Sequence, residues 1–178
     1  MSIVVHPWEP VCDARSRVLI LGTIPSPKSR EGGFYYGHPQ NSFWTVLARV
    51  LGERAPDGIA AKKEFLLRSR VALWDVLHSC EINGAADSSI QNPVVNRFQP
   101  LLAQTDIRSI FTTGQKATAL FNRYCRAEAG TAAIYLPSTS PANRAGQAGP
   151  DFLAQWLQVK AALTEAARES IRIDGNFA

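Results

Sequence analysis

Cysteine, histidine and long apolar stretches are all scarce in this chain. The three cysteines, Cys12, Cys80 and Cys125, are odd in number and widely spaced, which excludes a disulfide framework and a four-thiolate zinc or iron–sulfur site. No segment reaches the roughly eighteen apolar residues of a membrane span, and the N-terminus has no basic start followed by a long apolar run. We therefore expect a cytoplasmic protein with reduced thiols, no metal, no cofactor and no membrane contact.

Acidic residues are fewer than basic ones. Lys and Arg number 19 against 15 Asp and Glu, which gives a formal net charge of +4. Such a balance permits a polyanionic partner without requiring one. A phosphate-loop or dinucleotide fingerprint is also missing, so a flavodoxin-like nucleotide-binding module is the weakest alternative. No repeat, low-complexity tract or linker divides the chain, and the sequence predicts a single domain over residues 1–178.

Four short runs are almost continuously apolar, which is typical of strands covered on both faces. They are residues 17–22, 71–76, 109–114 and 132–137. Segments with helical spacing lie between and after them. The alternation of strand and helix predicts an α/β fold of three layers, α/β/α, with a central parallel four-stranded sheet.

Apolar stripes indicate where the helices lie. One stripe begins at Phe43 and ends before Gly52, a second covers residues 117–124, and a third begins at Phe152. Proline suits the first turn of a helix but interrupts its interior. The prolines at 93 and 100 are therefore expected to bracket a shorter helical piece.

The loops after the four strands are the expected ligand site, because ligands of open parallel sheets bind beyond the carboxyl ends of the strands. These loops cover residues 23–41, 75–80, 112–116 and 138–146. The first is crowded with Pro, Gly, Ser and aromatic residues and carries a single acid, Glu31. We expect the four loops to converge on one edge of the sheet.

These loops contain the strings "GTIPS", "YYGHPQNSFW", "LWDVLHSCEINGAADSSI", "FTTGQKA" and "STSPANR". In this order and at these separations they resemble the uracil-DNA glycosylase superfamily, most closely its deoxyinosine-acting (hypoxanthine-DNA glycosylase) branch, which is related to the mismatch-specific uracil/thymine-DNA glycosylases. The resemblance covers most of the chain. It implies a compact α/β/α enzyme that flips a deaminated base, hypoxanthine or also uracil, out of DNA and hydrolyses its N-glycosidic bond without a cofactor. The implied partner is duplex DNA with a deaminated or mismatched base, bound by a monomer.

The chain departs from the superfamily pattern at two positions. Ile24 stands where the mismatch-specific enzymes carry Asn in a G-x-N-P-G pattern, and isoleucine can neither position nor deprotonate water. The His of the usual second motif is missing from "STSPANR". The resemblance therefore implies that Asn41 of "HPQN" carries the chemistry. Two alternatives stay open: a G:T/U mismatch-specific uracil/thymine-DNA glycosylase, and a catalytically inactive DNA-damage-binding protein.

Asn41 has two interpretations. Asparagine is a favoured helix N-cap, and an apolar stripe begins at Phe43. In the catalytic interpretation, the amide carbonyl of Asn41 holds a water against the anomeric carbon and places a partial negative charge beside an oxocarbenium-like centre.

Four residues form the predicted base pocket. The resemblance implies that Phe43 stacks on the extruded base, and Tyr36 is expected to wall the same pocket. His38 is a second-rank member that contacts a phosphate or the leaving base, with a structural role as its alternative. Asp75 either caps the segment that follows it or accepts the ring N–H of hypoxanthine or uracil. His6 and His78 have no partner pattern and receive no role.

Serine, glycine and lysine in the loops are predicted to contact DNA phosphates, although ordinary turn chemistry explains each one singly. The predicted phosphate contacts are Ser26, Gly114, Lys116, Ser138 and Ser140. The resemblance also implies a wedge that enters the duplex and fills the space of the flipped nucleotide. Ala142, Asn143 and Arg144 occupy the place of this wedge, and Arg144 has the longest reach.

Overall fold

A computed structural model describes residues 1–174 of the chain and the side chains of residues 1–165. Strands and helices alternate along most of this length. The strands are β1 (Ser2–Val5), β2 (Val18–Gly22), β3 (Val71–Asp75), β4 (Leu77–Ile82), β5 (Gln91–Val95), β6 (Ser109–Thr113) and β7 (Ile134–Leu136). The helices are α1 (Pro27–Glu31), α2 (Phe43–Leu51), α3 (Gly58–Arg68), α4 (Gln99–Ala103), α5 (Gln115–Tyr124), α6 (Arg126–Ala129), α7 (Arg144–Gln147) and α8 (Asp151–Asp174).

The central sheet is parallel and has the strand order β3-β2-β6-β7. All four strands are the ones that the apolar runs predict, and the α/β class with a four-stranded parallel sheet is confirmed. In the register of β2 and β3, Gly22 lies opposite Asp75. The last residues of these two strands are therefore neighbours at the carboxyl edge of the sheet.

Both faces of the sheet are covered, as continuous apolar strands require. Val18 and Ile20 point to one face, where they share a core with Trp156 of α8 and with side chains of α2 and α3. Leu19 and Leu21 alternate to the other face, against α4, α5 and the strand β4. These two cores hold the sheet between its covering layers and fix the positions of its strand ends.

A second sheet was not predicted. It is antiparallel, has the order β1-β4-β5, and packs on the same face as α4 and α5. Most of the loop expected at residues 75–80 is strand β4, which buries Leu77, Cys80 and Ile82 and exposes His78. The helical piece expected from Pro93 is also wrong, because Pro93 lies in β5 at the edge of the antiparallel sheet. An edge strand tolerates proline, since one side of its backbone needs no partner. Pro100 lies in the first turn of α4.

The other predicted helices are confirmed. The stripe from Phe43 forms α2, and Gly52 ends it in the left-handed conformation with a φ of 76°, which glycine adopts without steric cost. The stripes at residues 117–124 and from Phe152 lie in α5 and α8. Helix α3 has no counterpart in the sequence prediction. None of the helices within residues 1–174 is long and apolar enough to cross a membrane.

Candidate active site

A cavity of about 550 Å³ lies at the carboxyl edge of the parallel sheet. Segments that follow all four strands contribute to its wall, as the sequence predicts. Residues 22–26 come from β2, Asp75 from β3, residues 113–115 from β6, and residues 138–140 from the loop after β7. Within residues 75–80, Asp75 alone lines the cavity, and the turn between β4 and β5 contributes residues 85–87 instead.

Asp75 is buried in this wall and bonded to a residue that the sequence analysis left without a role. Its side chain is 6% exposed, and its Oδ2 lies 2.8 Å from Nε2 of His6, whose side chain is 2% exposed. The backbone carbonyl of Asp75 accepts a hydrogen bond from Nδ2 of Asn96. Within the described residues no donor contacts the other carboxylate oxygen, Oδ1, which lies beside Gly22. One oxygen of Asp75 is thus bound to His6, and the other has no donor among the described residues.

Tyr36 extends its hydroxyl toward the same corner. The hydroxyl lies 2.9 Å from Oγ1 of Thr113, and Tyr36 has a φ of 51°, which is uncommon for a residue with a side chain. Burial raises the pKa of Tyr36 above its usual range, and the negative charge of Asp75 raises it further. Tyr36 is therefore a neutral hydroxyl group at neutral pH.

Phe43 does not reach the cavity. Its side chain is fully buried and stacks face to face on Tyr36, with ring centroids 3.8 Å apart and an interplanar angle of 2°. On its other sides it contacts Trp44 and Trp156. Phe43 lies on the core side of α2, and the aromatic residues that line the cavity are Tyr35, Tyr36 and Tyr135.

Asn41 lines the cavity and also supports the start of α2. Its Oδ1 accepts a hydrogen bond from the backbone N–H of Phe43 at 3.0 Å. This bond satisfies one of the free donors of the first helical turn, which is the structural role expected of asparagine here. A carbonyl oxygen has two lone pairs, so a second donor can still bind to Oδ1. Support of the helix and contact with a ligand are therefore compatible in Asn41.

His38 lies outside the cavity wall, although the sequence analysis assigns it to the base pocket. Its Nδ1 accepts a hydrogen bond from the N–H of Gln40 at 3.1 Å, and its carbonyl accepts one from the N–H of Asn41 at 2.8 Å. These contacts close a turn before α2. Ile24, in contrast, does line the cavity and offers no polar atom there.

Asp87 is a second carboxylate in the wall that the sequence analysis did not single out. Its Oδ2 accepts a hydrogen bond from the hydroxyl of Thr23 at 3.0 Å. Loss of hydration raises the pKa of Asp87, while Thr23 and the positive charge of Lys116 oppose this shift. The string "GAADSS" gives no local signal for this role, because the turn between β4 and β5 brings Asp87 to Thr23.

Most predicted phosphate contacts line the cavity, and we call them its rim: Ser26, Gly114, Ser138 and Ser140. The hydroxyl oxygens of the three serines also close turns. Ser26 accepts a hydrogen bond from the N–H of Ser29 at 3.2 Å, and Ser138 accepts one from the N–H of Ser140 at 3.2 Å. Ser140 accepts one from the N–H of Ala142 at 3.3 Å. The hydroxyls of Ser138 and Ser140 keep their own protons to donate, whereas that of Ser26 also lies 3.0 Å from Oγ of Ser29.

Gly114 and the predicted wedge complete the rim. Gly114 lines the cavity with a φ of 90°, a conformation that suits glycine. Asn143 also lines it and donates from Nδ2 to the carbonyl of Ser138 at 2.9 Å. Arg144 is exposed at the start of α7, and Lys116 is half-buried at the start of α5; neither lines the cavity. Within the described residues no three His, Cys, Asp or Glu side chains converge as metal ligands.

Comparison with known proteins shows which family of enzymes the chain is similar to. The sequence model of the uracil DNA glycosylase superfamily matches residues 9–161. A protein of Methanosarcina acetivorans named hypoxanthine DNA glycosylase is 35% identical over 136 residues, which are 75% of this chain and 85% of the relative. A protein of Methanosarcina barkeri with the same name is 32% identical over 138 residues, 77% of this chain and 87% of the relative.

A solved structure agrees with these relatives. The solution NMR structure of a protein from Methanosarcina acetivorans, described as a candidate uracil DNA glycosylase, superposes with a TM-score of 0.78 at 30% identity. The match covers 92% of this chain and 99% of the other. The family model and the relatives define an enzyme of the class that hydrolyses N-glycosyl bonds in DNA. The chain belongs to the uracil DNA glycosylase superfamily.

Proposed function

We propose that this enzyme removes hypoxanthine from DNA. It flips a deoxyinosine nucleotide into the cavity, hydrolyses the bond between base and sugar, and leaves an abasic site. The observation that carries the proposal is the carboxylate of Asp75, which is buried, bound to His6 through Oδ2, and open to the cavity through Oδ1. The names of the two relatives support the same substrate.

The hydrogen-bonding pattern of the base explains why a carboxylate suits this position. Hypoxanthine carries an N–H group at N1 beside a carbonyl, whereas adenine carries a lone pair at N1. A carboxylate accepts hydrogen bonds and donates none. Asp75 therefore binds N1–H of hypoxanthine and repels N1 of adenine, the base from which hypoxanthine arises. Uracil also has an N–H beside a carbonyl, so the same carboxylate makes uracil the second candidate substrate.

Asn41 is the proposed catalytic residue. It lies in the cavity wall, and its Oδ1 is held in place by the N–H of Phe43. A water that donates to the second lone pair of Oδ1 is oriented toward the anomeric carbon of the flipped nucleotide. The same partial negative charge stabilises the oxocarbenium-like transition state, and such preorganised groups lower barriers by several kcal/mol. Ile24 offers no polar atom, and Gln40, the other side-chain amide of this loop, does not line the cavity, so Asn41 is the amide of the loop that is placed to act in this way.

DNA binding is assigned to the rim. Ser26, Gly114, Ser138 and Ser140 would offer N–H and hydroxyl groups to phosphates, and Lys116 would add a positive charge. The loop that ends in Arg144 would enter the duplex and support base flipping. We further propose that the enzyme acts as a monomer in the cytoplasm, on duplex DNA.

A substrate panel tests the proposal. Duplexes that contain one deoxyinosine, deoxyuridine, thymine mismatch or deoxyxanthosine are incubated with the enzyme, and strand breaks at abasic sites are counted after alkali treatment. We expect the deoxyinosine duplex to be cut fastest and an undamaged duplex to stay intact. Faster cleavage of the thymine mismatch would favour a mismatch-specific enzyme. Binding of all damaged duplexes without any abasic site would indicate an inactive damage-binding protein.

A further inference from the structure

The contacts of His6 fix which of its ring nitrogens carries the proton. Nδ1 accepts a hydrogen bond from the backbone N–H of Trp8 at 3.2 Å, so Nδ1 must be unprotonated. In a neutral imidazole the other nitrogen then carries the proton. Nε2 of His6 is therefore the donor in the 2.8 Å contact to Oδ2 of Asp75.

The surroundings of His6 hold the ring in this orientation. Its backbone N–H donates to the carbonyl of His78 at 2.7 Å. Its ring lies 5.9 Å from that of Trp8, 5.7 Å from that of Tyr35 and 6.4 Å from that of Trp74, measured between centroids. A buried ring enclosed by aromatic residues cannot turn over without disrupting this packing. His6 thus presents a fixed N–H donor to residue 75.

We propose that His6 is a positioning residue that sets which atom of residue 75 faces the base, an inference that rests on the proposed function. A fixed N–H donor can bond only to an acceptor atom, so the atom of residue 75 opposite it must be an oxygen. With aspartate at position 75, the second oxygen then points to the cavity beside Gly22, where it reads N1–H of the base. His6 precedes residues 9–161, the part of the chain that the superfamily model matches.

This arrangement predicts an unusual response to Asp75→Asn. The asparagine must turn its amide oxygen toward Nε2 of His6, which places its NH2 group in the cavity. Two N–H groups then face each other when hypoxanthine enters, so cleavage is lost although the side chain keeps its size. A glutamine at position 6 can rotate its own amide and accept from that NH2 group. The double variant His6→Gln, Asp75→Asn therefore turns the asparagine oxygen back to the base.

The test compares single-turnover cleavage of a deoxyinosine duplex by the unsubstituted chain and five variants under one condition. Relative to the unsubstituted chain, we expect His6→Phe to lose about tenfold, the scale of one hydrogen bond to a charged group. We expect His6→Gln to stay within a few-fold, because its amide still donates to Asp75. Asp75→Asn should lose about a hundredfold, and the double variant should regain about tenfold over Asp75→Asn. His78→Phe is the matched control, since the side chain of His78 is exposed on β4.

The effect of His6→Gln in the Asp75→Asn background separates positioning from a merely structural role. A positioning role predicts that His6→Gln raises the cleavage rate there, whereas a structural role predicts that it lowers the rate or leaves it unchanged. If His6→Gln fails to raise the activity of Asp75→Asn, measured on samples with equal folded fractions, the proposal is overturned. The ring ¹⁵N chemical shifts of His6 give a second readout. We expect them to show a protonated Nε2 and an unprotonated Nδ1 both in the unsubstituted chain and in Asp75→Asn. If the unsubstituted chain does not cut deoxyinosine at all, the proposed function fails. The chemical shifts alone then test the role of His6, and a protonated Nδ1 would overturn the proposal that Nε2 is the donor to residue 75.

Discussion

A single methyl group at Gly22 should displace the carboxylate that reads the base. A Cβ added to Gly22 would lie 2.2 Å from Oδ1 of Asp75 and 3.0 Å from the hydroxyl of Tyr36. Carbon and oxygen atoms at van der Waals contact are well over 3 Å apart, so Oδ1 must retreat by roughly 1 Å. A misplacement of about 1 Å can cost about a hundredfold in rate. We therefore expect Gly22→Ala to lower single-turnover cleavage of deoxyinosine by about two orders of magnitude.

Stability provides the control for Gly22→Ala. The residue lies in strand β2 and needs no left-handed backbone, so alanine is compatible with its conformation and the chain should still fold. Gly149→Ala, outside the cavity wall, should leave cleavage unchanged. Cleavage by Gly22→Ala at the normal rate would show that Oδ1 of Asp75 is not needed where the structure has it, which would refute the assignment of Asp75 as the base-reading group.

Three further predictions concern the rim and the second carboxylate. Lys116→Ala should weaken binding of damaged and undamaged duplexes alike and reduce the slope of log affinity against log salt by about one, because a phosphate contact carries no sequence information; a loss confined to damaged duplexes in a filter-binding titration would contradict this. Arg144→Ala should slow cleavage of well-paired substrates more than that of mismatched or single-stranded ones, since a weakened pair needs less help to open; an equal loss on all substrates would favour a plain phosphate contact. Partial loss of hydration raises the pKa of Asp87 in the folded protein, although the residue is exposed at the surface of the cavity, so folding binds a fraction of a proton between the unfolded and folded pKa values, and stability falls as pH rises through that window. Asp87→Asn should therefore raise the unfolding temperature at neutral pH by a small amount, because solvent screens an exposed group, and should have little effect in acid below the unfolded pKa. An unchanged neutral unfolding temperature would contradict a loss of hydration at this carboxylate.

The parallel sheet could be predicted from the sequence because its strands are covered on both faces. Such strands are continuous apolar runs, and they stand out between helical stripes. Strand β4 was missed because its buried residues, Leu77, Cys80 and Ile82, do not alternate strictly with polar ones, and irregular register interrupts its pairing with β5. Strand β5 contains Pro93, which argues against a strand unless the strand is known to lie at an edge.

Part of the site could be predicted because the order of the parallel strands follows from the sequence. Asp75 ends β3 and Asn41 lies in the loop after β2, and the sheet topology brings these two strand ends together, so their place at the cavity follows from the order of strands. His6 could not be found, because its partner Asp75 is 69 residues away and the strand that positions it, β1, belongs to the sheet that was not predicted. Phe43 was expected at the base, but the local pattern cannot tell which face of α2 packs against the core.

The most direct test of the account is the cleavage rate of Asn41→Ser. Serine keeps a hydroxyl that can accept from the N–H of Phe43 but is too short to hold a water where Oδ1 of Asn41 does. If Asn41 positions the nucleophilic water, single-turnover cleavage of deoxyinosine should fall by about two orders of magnitude in both Asn41→Ser and Asn41→Ala. Duplex binding should change little in either variant, and Asn41→Ala alone should lose about 1 kcal/mol of stability. Cleavage by Asn41→Ser at the rate of the unsubstituted chain would contradict the account, because Asn41 would then serve only the start of α2.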